Sequence, residues 1–142
     1  MANVKMVIVV RKDLHMRKGK IAAQVAHASM AVLLKRMQVH VYHSDLGNGE
    51  VYAGQNRTLH LEYGSPMWEW LNGSFTKIVL YVEFEDAIMA LANRCHFMAI
   101  PHAVITDAGR TEFHGEPTIT CIAIGPDEAD KIDEITGDLP LL

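Results

Sequence analysis

Five residues, "MVIVV" from Met6 to Val10, restrict the folds open to this chain more than any other feature of it. An unbroken apolar run rich in β-branched residues has no polar face to offer water, so a strand built from it must be covered on both sides. A sheet with one face in solvent is excluded, and the strand belongs at the centre of a layered structure.

The rest of the pattern provides the covering layers. After the polar loop "RKDLHMRKG", Gly19 and Lys20 open a helix through Ala22, Ala23, Ala26, Ala28, Ser29 and Ala31, residues favourable to helix and small enough to predict close packing. "MWEWLNG" reads as a short amphipathic helix ended by Gly73, and "TKIVLYV" from Thr76 to Val82 as a second strand. "EDAIMALANRCHFMA" reads as a crossover helix with Ile88, Leu91, Ala92 and Cys95 on its apolar face. "HAVITDAG" is a third strand stopping at Asp107 and Gly109, and "TITCIAIG" from Thr118 a fourth. The final helix is placed at "GPDEADKIDEITG", with Pro126 in its first position and Gly137 in a left-handed turn at its end.

Between the first two helices, Met37 to Pro66 holds Gly47, Gly49, Gly54 and Gly64 and the alternating "TLHLEY", which predicts an exposed hairpin arm inserted at about 37–66. The element order predicts an α/β fold, a mostly parallel sheet with helices on both faces. The loops "RKDLHMRKG" and "DAGRT" then meet at the carboxyl ends of strands, where such sheets bind ligands. With 142 residues, 49% of them hydrophobic, the chain has core material for one domain, residues 1–142.

No apolar run reaches the ~18 residues of a membrane span, and the first twenty residues place charges where a leader would place a cleavage site. A soluble, cytoplasmic protein with no membrane partner is expected. Cys95 and Cys121 lie in apolar segments without metal spacing and should be buried and reduced. The net charge of -4 conceals an asymmetry: residues 1–20 hold Lys5, Arg11, Lys12, Arg17, Lys18 and Lys20 against Asp13, a local +5, which leaves -9 for the rest. A basic patch of that kind suits phosphate on an otherwise acidic protein.

Lys20, Gln24 and His27 recur at i, i+4 and i+7, a polar stripe without an acid beside Ile21, Val25, Ala28 and Val32, and are predicted to line a site. Arg17 and Lys18 precede a helix N-terminus, where free N–H groups favour an anion. "DAGRT" supports two readings: an Asx turn with Arg110 in solvent, or a site combining a carboxylate, a guanidinium and the Thr111 hydroxyl. His40 and His43 fall in the arm without a convincing ligand partner, so no metal is expected. No nucleophile motif is present, which leaves water as the attacking group of any enzyme. Met30, Met89 and Met98 occupy apolar positions and read as core filler.

Together "KMVIVVRKDLHMRKGKIAAQVAHAS", "ITDAGRTEF", "TITCIAIGP" and "DKIDEITGDLPLL" resemble the type 2 peptidyl-tRNA hydrolases of archaea and eukaryotes, over residues 4–36 and 67–142. The resemblance implies a three-layer α/β/α sandwich around a four-stranded mixed sheet, and hydrolysis of the ester joining a peptide to the 3' ribose of tRNA. It implies no cofactor and often a homodimer. Carried over by motif, Lys20 of the K-G-K word, Asp107 of the D-A-G word and Thr111 become the catalytic candidates. Gln24, His27 and Thr120 become cleft residues, and Arg11, Lys12, Arg17, Lys18 and Arg110 the groups that would hold tRNA phosphates. The arm has no counterpart in the family pattern. The alternative is a non-catalytic adaptor on the same scaffold, binding RNA or protein.

Overall fold

The computed structural model describes residues 3–142. Strand β1, Val4–Arg11, is buried along almost its whole length and sits inside a four-stranded sheet of order β4-β1-β6-β5. A 3-10 turn at Lys12–Leu14 leads to helix α1, Lys18–Arg36. Strands β2, Gln38–Asp45, and β3, Val51–Thr58, pair only with each other, and helix α2, Pro66–Asn72, returns the chain to the core. Strand β4, Lys77–Val82, helix α3, Glu85–Phe97, strand β5, His102–Asp107, strand β6, Thr118–Glu128, and helix α4, Ala129–Thr136, complete the order.

Alternation along β1 divides the core in two. Val7 and Val9 join Ile122 and Ile124 of β6 under α3 and α4, which contribute Ile88, Leu91, Ala92, Cys95, Ile132 and Ile135. Met6, Ile8 and Val10 face the other layer with Cys121 and Ala123, under Ala28 and Val32 of α1 and Met67 and Trp70 of α2. This is the expected three-layer sandwich, since a period of two sends successive apolar residues to opposite faces. Helix α2 is started as its sequence directs: Ser65 accepts from the Trp68 N–H at 3.3 Å, Pro66 follows, and the buried Trp70 donates its indole N–H to Thr76 O at 2.8 Å.

The sheet is mixed and mostly parallel in strand direction, as expected: β4, β1 and β5 point the same way, while β6, placed between β1 and β5, runs antiparallel to both. The reason is the link 108–117 between β5 and β6, which contains no crossover helix, so the chain turns straight back and inserts β6 beside β1.

Local end signals were overruled in the same region. Pro126 lies within β6, because pairing of Val4 with Glu128 and Lys5 with Asp127 carries the strand past the apolar run. Gly125 and Pro126 together oppose Met6 in a bulge, where a missing N–H is tolerated. Gly125 takes φ +95°, and a Cβ there would stand 2.7 Å from Lys5 O. Helix α4 therefore starts at Ala129, and Gly137 ends it in right-handed geometry, φ -60°.

Three further expectations need correction. The hairpin arm exists, but only Thr58 of "TLHLEY" belongs to it: Leu61 packs on the core and the Tyr63 ring lies 5.3 Å from Trp68. Of the small residues in α1 only Ala28 is fully buried, while Ala22, Ala23 and Ala26 are exposed, so the alanines serve helix formation more than close packing. Met30 and Met89 stand on outer helix faces, 51% and 40% exposed, rather than in the core. At the opposite edge, residues 140–142 run along β4, with Tyr81 N–H donating to Pro140 O and Leu142 N–H to Val79 O, each at 3.1 Å.

Candidate active site

The turnback that makes β5 and β6 antiparallel also gathers the polar residues. The carboxyl ends of β1 and β5, the start of β6 and the first turns of α1 share one end of the sheet, where the two loops singled out in the sequence meet.

Asp107 closes β5. Its Oδ2 accepts the Gly109 N–H at 2.9 Å, the Asx turn expected of "DAG". Gly109 has φ +82° and packs so tightly that a Cβ would collide with the Glu116 carbonyl. Arg110 is left exposed. The turn and the polar cluster are thus one structure, and the two readings of this segment hold together.

From the helix side, the Lys20 ammonium donates to Asp107 Oδ1 at 2.8 Å and to Thr111 Oγ1 at 2.7 Å, and lies 5.5 Å from the centroid of the Phe113 ring. The Lys20 and Asp107 side chains retain 13% and 14% of their exposure, enough to reach solvent yet shielded from full screening. One turn further, Gln24 is 2% exposed; its Nε2 donates to Asp107 Oδ1 at 3.1 Å, and its Oε1 accepts from the wholly buried Thr120 hydroxyl at 2.6 Å. Reversing the amide would set Oε1 against the carboxylate, so Asp107, which can only accept, dictates which end of Gln24 meets it, and the Thr120 hydroxyl donates to the other.

The Lys20 hydrogen bond is the largest influence holding the Asp107 carboxyl below its ordinary value; burial opposes it, and the Gly109 N–H, the charge of Lys20 and the Gln24 amide add to the lowering. Asp107 is therefore an anion at neutral pH. Its lone pairs are unequally committed: Oδ1 accepts twice, Oδ2 once. Oδ2 is the atom with room for a water, and the Lys20 ammonium retains one N–H for a further acceptor.

The other sequence candidates separate. Gln24 and Thr120 are buried behind Asp107 instead of lining an open cleft, and His27 is exposed and outside the cluster. Helical period explains the split: Gln24 shares the sheet-facing side of α1 with Ala28 and Val32, and His27 does not. Arg11 is committed to Asp13, with contacts of 3.2 and 2.7 Å, and to Ile119 O at 3.0 Å. The Lys12 ammonium lies 4.4 Å over the Tyr81 ring. Arg17, Lys18 and Arg110 are exposed, available to an anion in solution. Asp13 and Phe113 are the contributors that sequence reasoning missed; the i, i+2 spacing of Arg11 and Asp13 was the one usable signal.

Cys95 and Cys121 are free and fully buried, and burial pushes each thiol up to about 11, which suppresses the thiolate. Among the described residues no three His, Cys, Asp or Glu side chains are placed to hold a metal ion, and no helix is long and apolar enough to cross a membrane.

The family model described as peptidyl-tRNA hydrolase PTH2 matches residues 4–142. A peptidyl-tRNA hydrolase of Saccharolobus solfataricus is 40% identical over 140 residues, 98% of this chain and 99% of that protein. Those of Methanopyrus kandleri and Thermoplasma acidophilum are 37% and 40% identical over 139 residues, 97% of each chain. A match of this extent, reaching both halves of the Lys20 and Asp107 cluster, places the chain in the PTH2 family of peptidyl-tRNA hydrolases.

Proposed function

We propose that this protein hydrolyses the ester of peptidyl-tRNA, releasing free tRNA and peptide, with Lys20, Asp107 and Thr111 as its catalytic groups. The observation that carries the reading is the convergence of those three side chains, 87 and 91 residues apart along the chain, at hydrogen-bond distance. Family membership favours hydrolysis over a non-catalytic adaptor, for which such a cluster has no use.

Asp107 Oδ2 holds a water against the ester carbonyl. The water oxygen bonds to the carbonyl carbon, the carbonyl π pair moves to oxygen, and the remaining Lys20 N–H stabilises that oxyanion. Thr111 already accepts from Lys20, so its hydroxyl hydrogen is free to orient the water or the ribose. As the intermediate collapses, the bond to the 3' oxygen breaks, and the proton released by the water reaches that oxygen through Asp107. Because its pKa is lowered, Asp107 is a weak base; it takes the proton only as the new C–O bond forms, and its main contribution is placement. Gln24 and Thr120 are positioning residues that hold Asp107 in place.

Arg17, Lys18 and Arg110 contact backbone phosphates near the ester, a sequence-independent attraction that weakens with salt. The reading includes a single catalytic domain over residues 1–142, a cytoplasmic site of action and a homodimer, which solution mass measurement tests. The decisive experiment is turnover of N-acetyl-aminoacyl-tRNA by the wild-type protein and the Asp107→Asn and Lys20→Ala variants. Wild-type rates in both folded variants would refute the assignment.

A further inference from the structure

At the end of α1 away from Lys20, the last turns of α1 and α3 and the start of β5 border an open hollow of about 440 Å³. Its ionisable lining includes Lys35, Arg36, His96 and His102 and no carboxylate, in a chain with 17 acidic and 13 basic residues. Bases in a final helical turn complement the dipole, which explains why Lys35 and Arg36 are stable there. It does not explain two added imidazoles or the lack of any acid to pair with them.

The charge balance is favourable to an anion. With both imidazoles neutral, the two cations outweigh roughly half a negative charge from each helix end and leave about +1. The α3 end is blunted further, because its carbonyls are already occupied: Arg94 O accepts from Met98 N–H at 2.9 Å, Cys95 O from Ile100 N–H at 2.9 Å and His96 O from Ala99 N–H at 3.2 Å. One donor is also ordered: Lys35 is anchored on His102 O at 2.8 Å with two N–H groups to spare. His102 Nδ1–H donates to Ile100 O at 2.9 Å, so its Nε2 carries a lone pair in the neutral ring and adds a donor only in the protonated one.

The hollow and the candidate active site lie toward opposite ends of α1. At 100° per residue, Lys35 falls about 60° from Lys20, on the side of Gln24 and Ala28, and the helix extends roughly 22 Å from Lys20 to Lys35. A peptide ester on a single nucleotide cannot reach across that length; a polynucleotide can.

We propose that this hollow is a second phosphate site, which grips the sugar-phosphate backbone of the substrate RNA at a distance from the ester. The inference rests on the hydrolase reading and deepens it. The test uses the Arg36→Ala/His96→Ala double variant, whose parent side chains are exposed and outside the catalytic cluster. Two substrates are compared: N-acetyl-aminoacyl-tRNA, and the same acyl group on the trinucleotide CCA.

The expected result is a KM for the tRNA substrate raised about fivefold, with kcat unchanged, a salt slope shallower by about 1, and unaltered turnover of the trinucleotide ester. An unchanged KM for tRNA, or an equal loss on both substrates, would overturn the proposal. Binding of deacylated tRNA is measured in parallel. If the wild-type protein cleaved neither substrate, the catalytic reading would fail, and the hollow would stand or fall on whether the double variant weakens that binding.

Discussion

Two polar regions of this molecule are built on opposite terms. The β2–β3 ribbon is organised by its own turn: Asp45 Oδ1 accepts the Gly47 N–H at 2.8 Å, Asn48 Oδ1 accepts the Glu50 N–H at 3.0 Å, and eight residue pairs follow in register. Every residue of β2 is exposed, and the Tyr42 and Tyr52 rings, 6.2 Å apart, pack on each other and on no core. The cluster around Asp107 has no local organiser beyond the Gly109 turn. Thr120, Gln24, Lys20 and Thr111 reach it from β6, from α1 and from the loop after β5, and none would hold its place without the packed sheet behind it. Local turn chemistry sets a register that then lies in solvent, whereas long-range packing sets a geometry in which partly shielded charges act at close range.

That contrast predicts very unequal sensitivities. Asp107→Asn should reduce kcat/KM by about 10² to 10⁴, the contribution typical of a positioned base. A smaller loss in a folded variant would move the proton-handling role elsewhere. Lys20→Ala should lose about 10² to 10³, as for removal of an oxyanion donor, with the effect falling on kcat. Thr120→Val leaves Gln24 Oε1 buried without its donor, at a cost of about 1–3 kcal/mol in stability, read in a denaturant titration. Its rate loss should be smaller than that of either catalytic variant. Equal losses from Thr120→Val and Asp107→Asn would mean that Thr120 acts on the substrate directly.

The pH dependence of stability has a determined sign. Because the carboxyl of Asp107 is lowered in the folded protein, its interactions stabilise the fold above the ordinary carboxylate value and are lost as pH falls through the lowered folded value. Thermal melts between roughly pH 2 and 5 should therefore show a shallower acid-side decline in Asp107→Asn than in the wild-type protein. Identical slopes would place the acid sensitivity in other carboxylates. The smallest effect is expected at the ribbon: replacing residues 38–58 by a short Gly/Ser turn should leave turnover of the trinucleotide ester within about twofold, since the ribbon ends are adjacent partners and the core is untouched. A collapse of that activity would show that the ribbon reaches the site, and would erase the contrast.

Much of this arrangement was legible in advance, unevenly and for physical reasons. "MVIVV" announced a doubly covered strand because burial on both faces leaves no polar position, and the structure gives it two apolar layers. The apolar face of α3 was legible from its period. Lys20, Asp107 and Thr111 could be named as candidates from family words, but the words carry no distances. Arg11 and Lys12 looked available for phosphate and are engaged by Asp13 and Tyr81. The basic hollow was invisible, since Lys35, Arg36, His96 and His102 come from three separate elements.

What the sequence determined by itself was therefore short in range: the apolar periods, the capped start of α2, the glycine turn after Asp107 and the identity of the reactive groups. The tertiary structure alone decided that β6 runs antiparallel between β1 and β5, that Gln24 turns inward to hold Asp107 while His27 faces outward, and that Pro126 ends in a strand. The physical reason is that periodicity and turn chemistry act over a few residues, whereas strand order and the partner of a polar side chain depend on contacts between segments far apart in the chain, and those exist only once the sheet has closed.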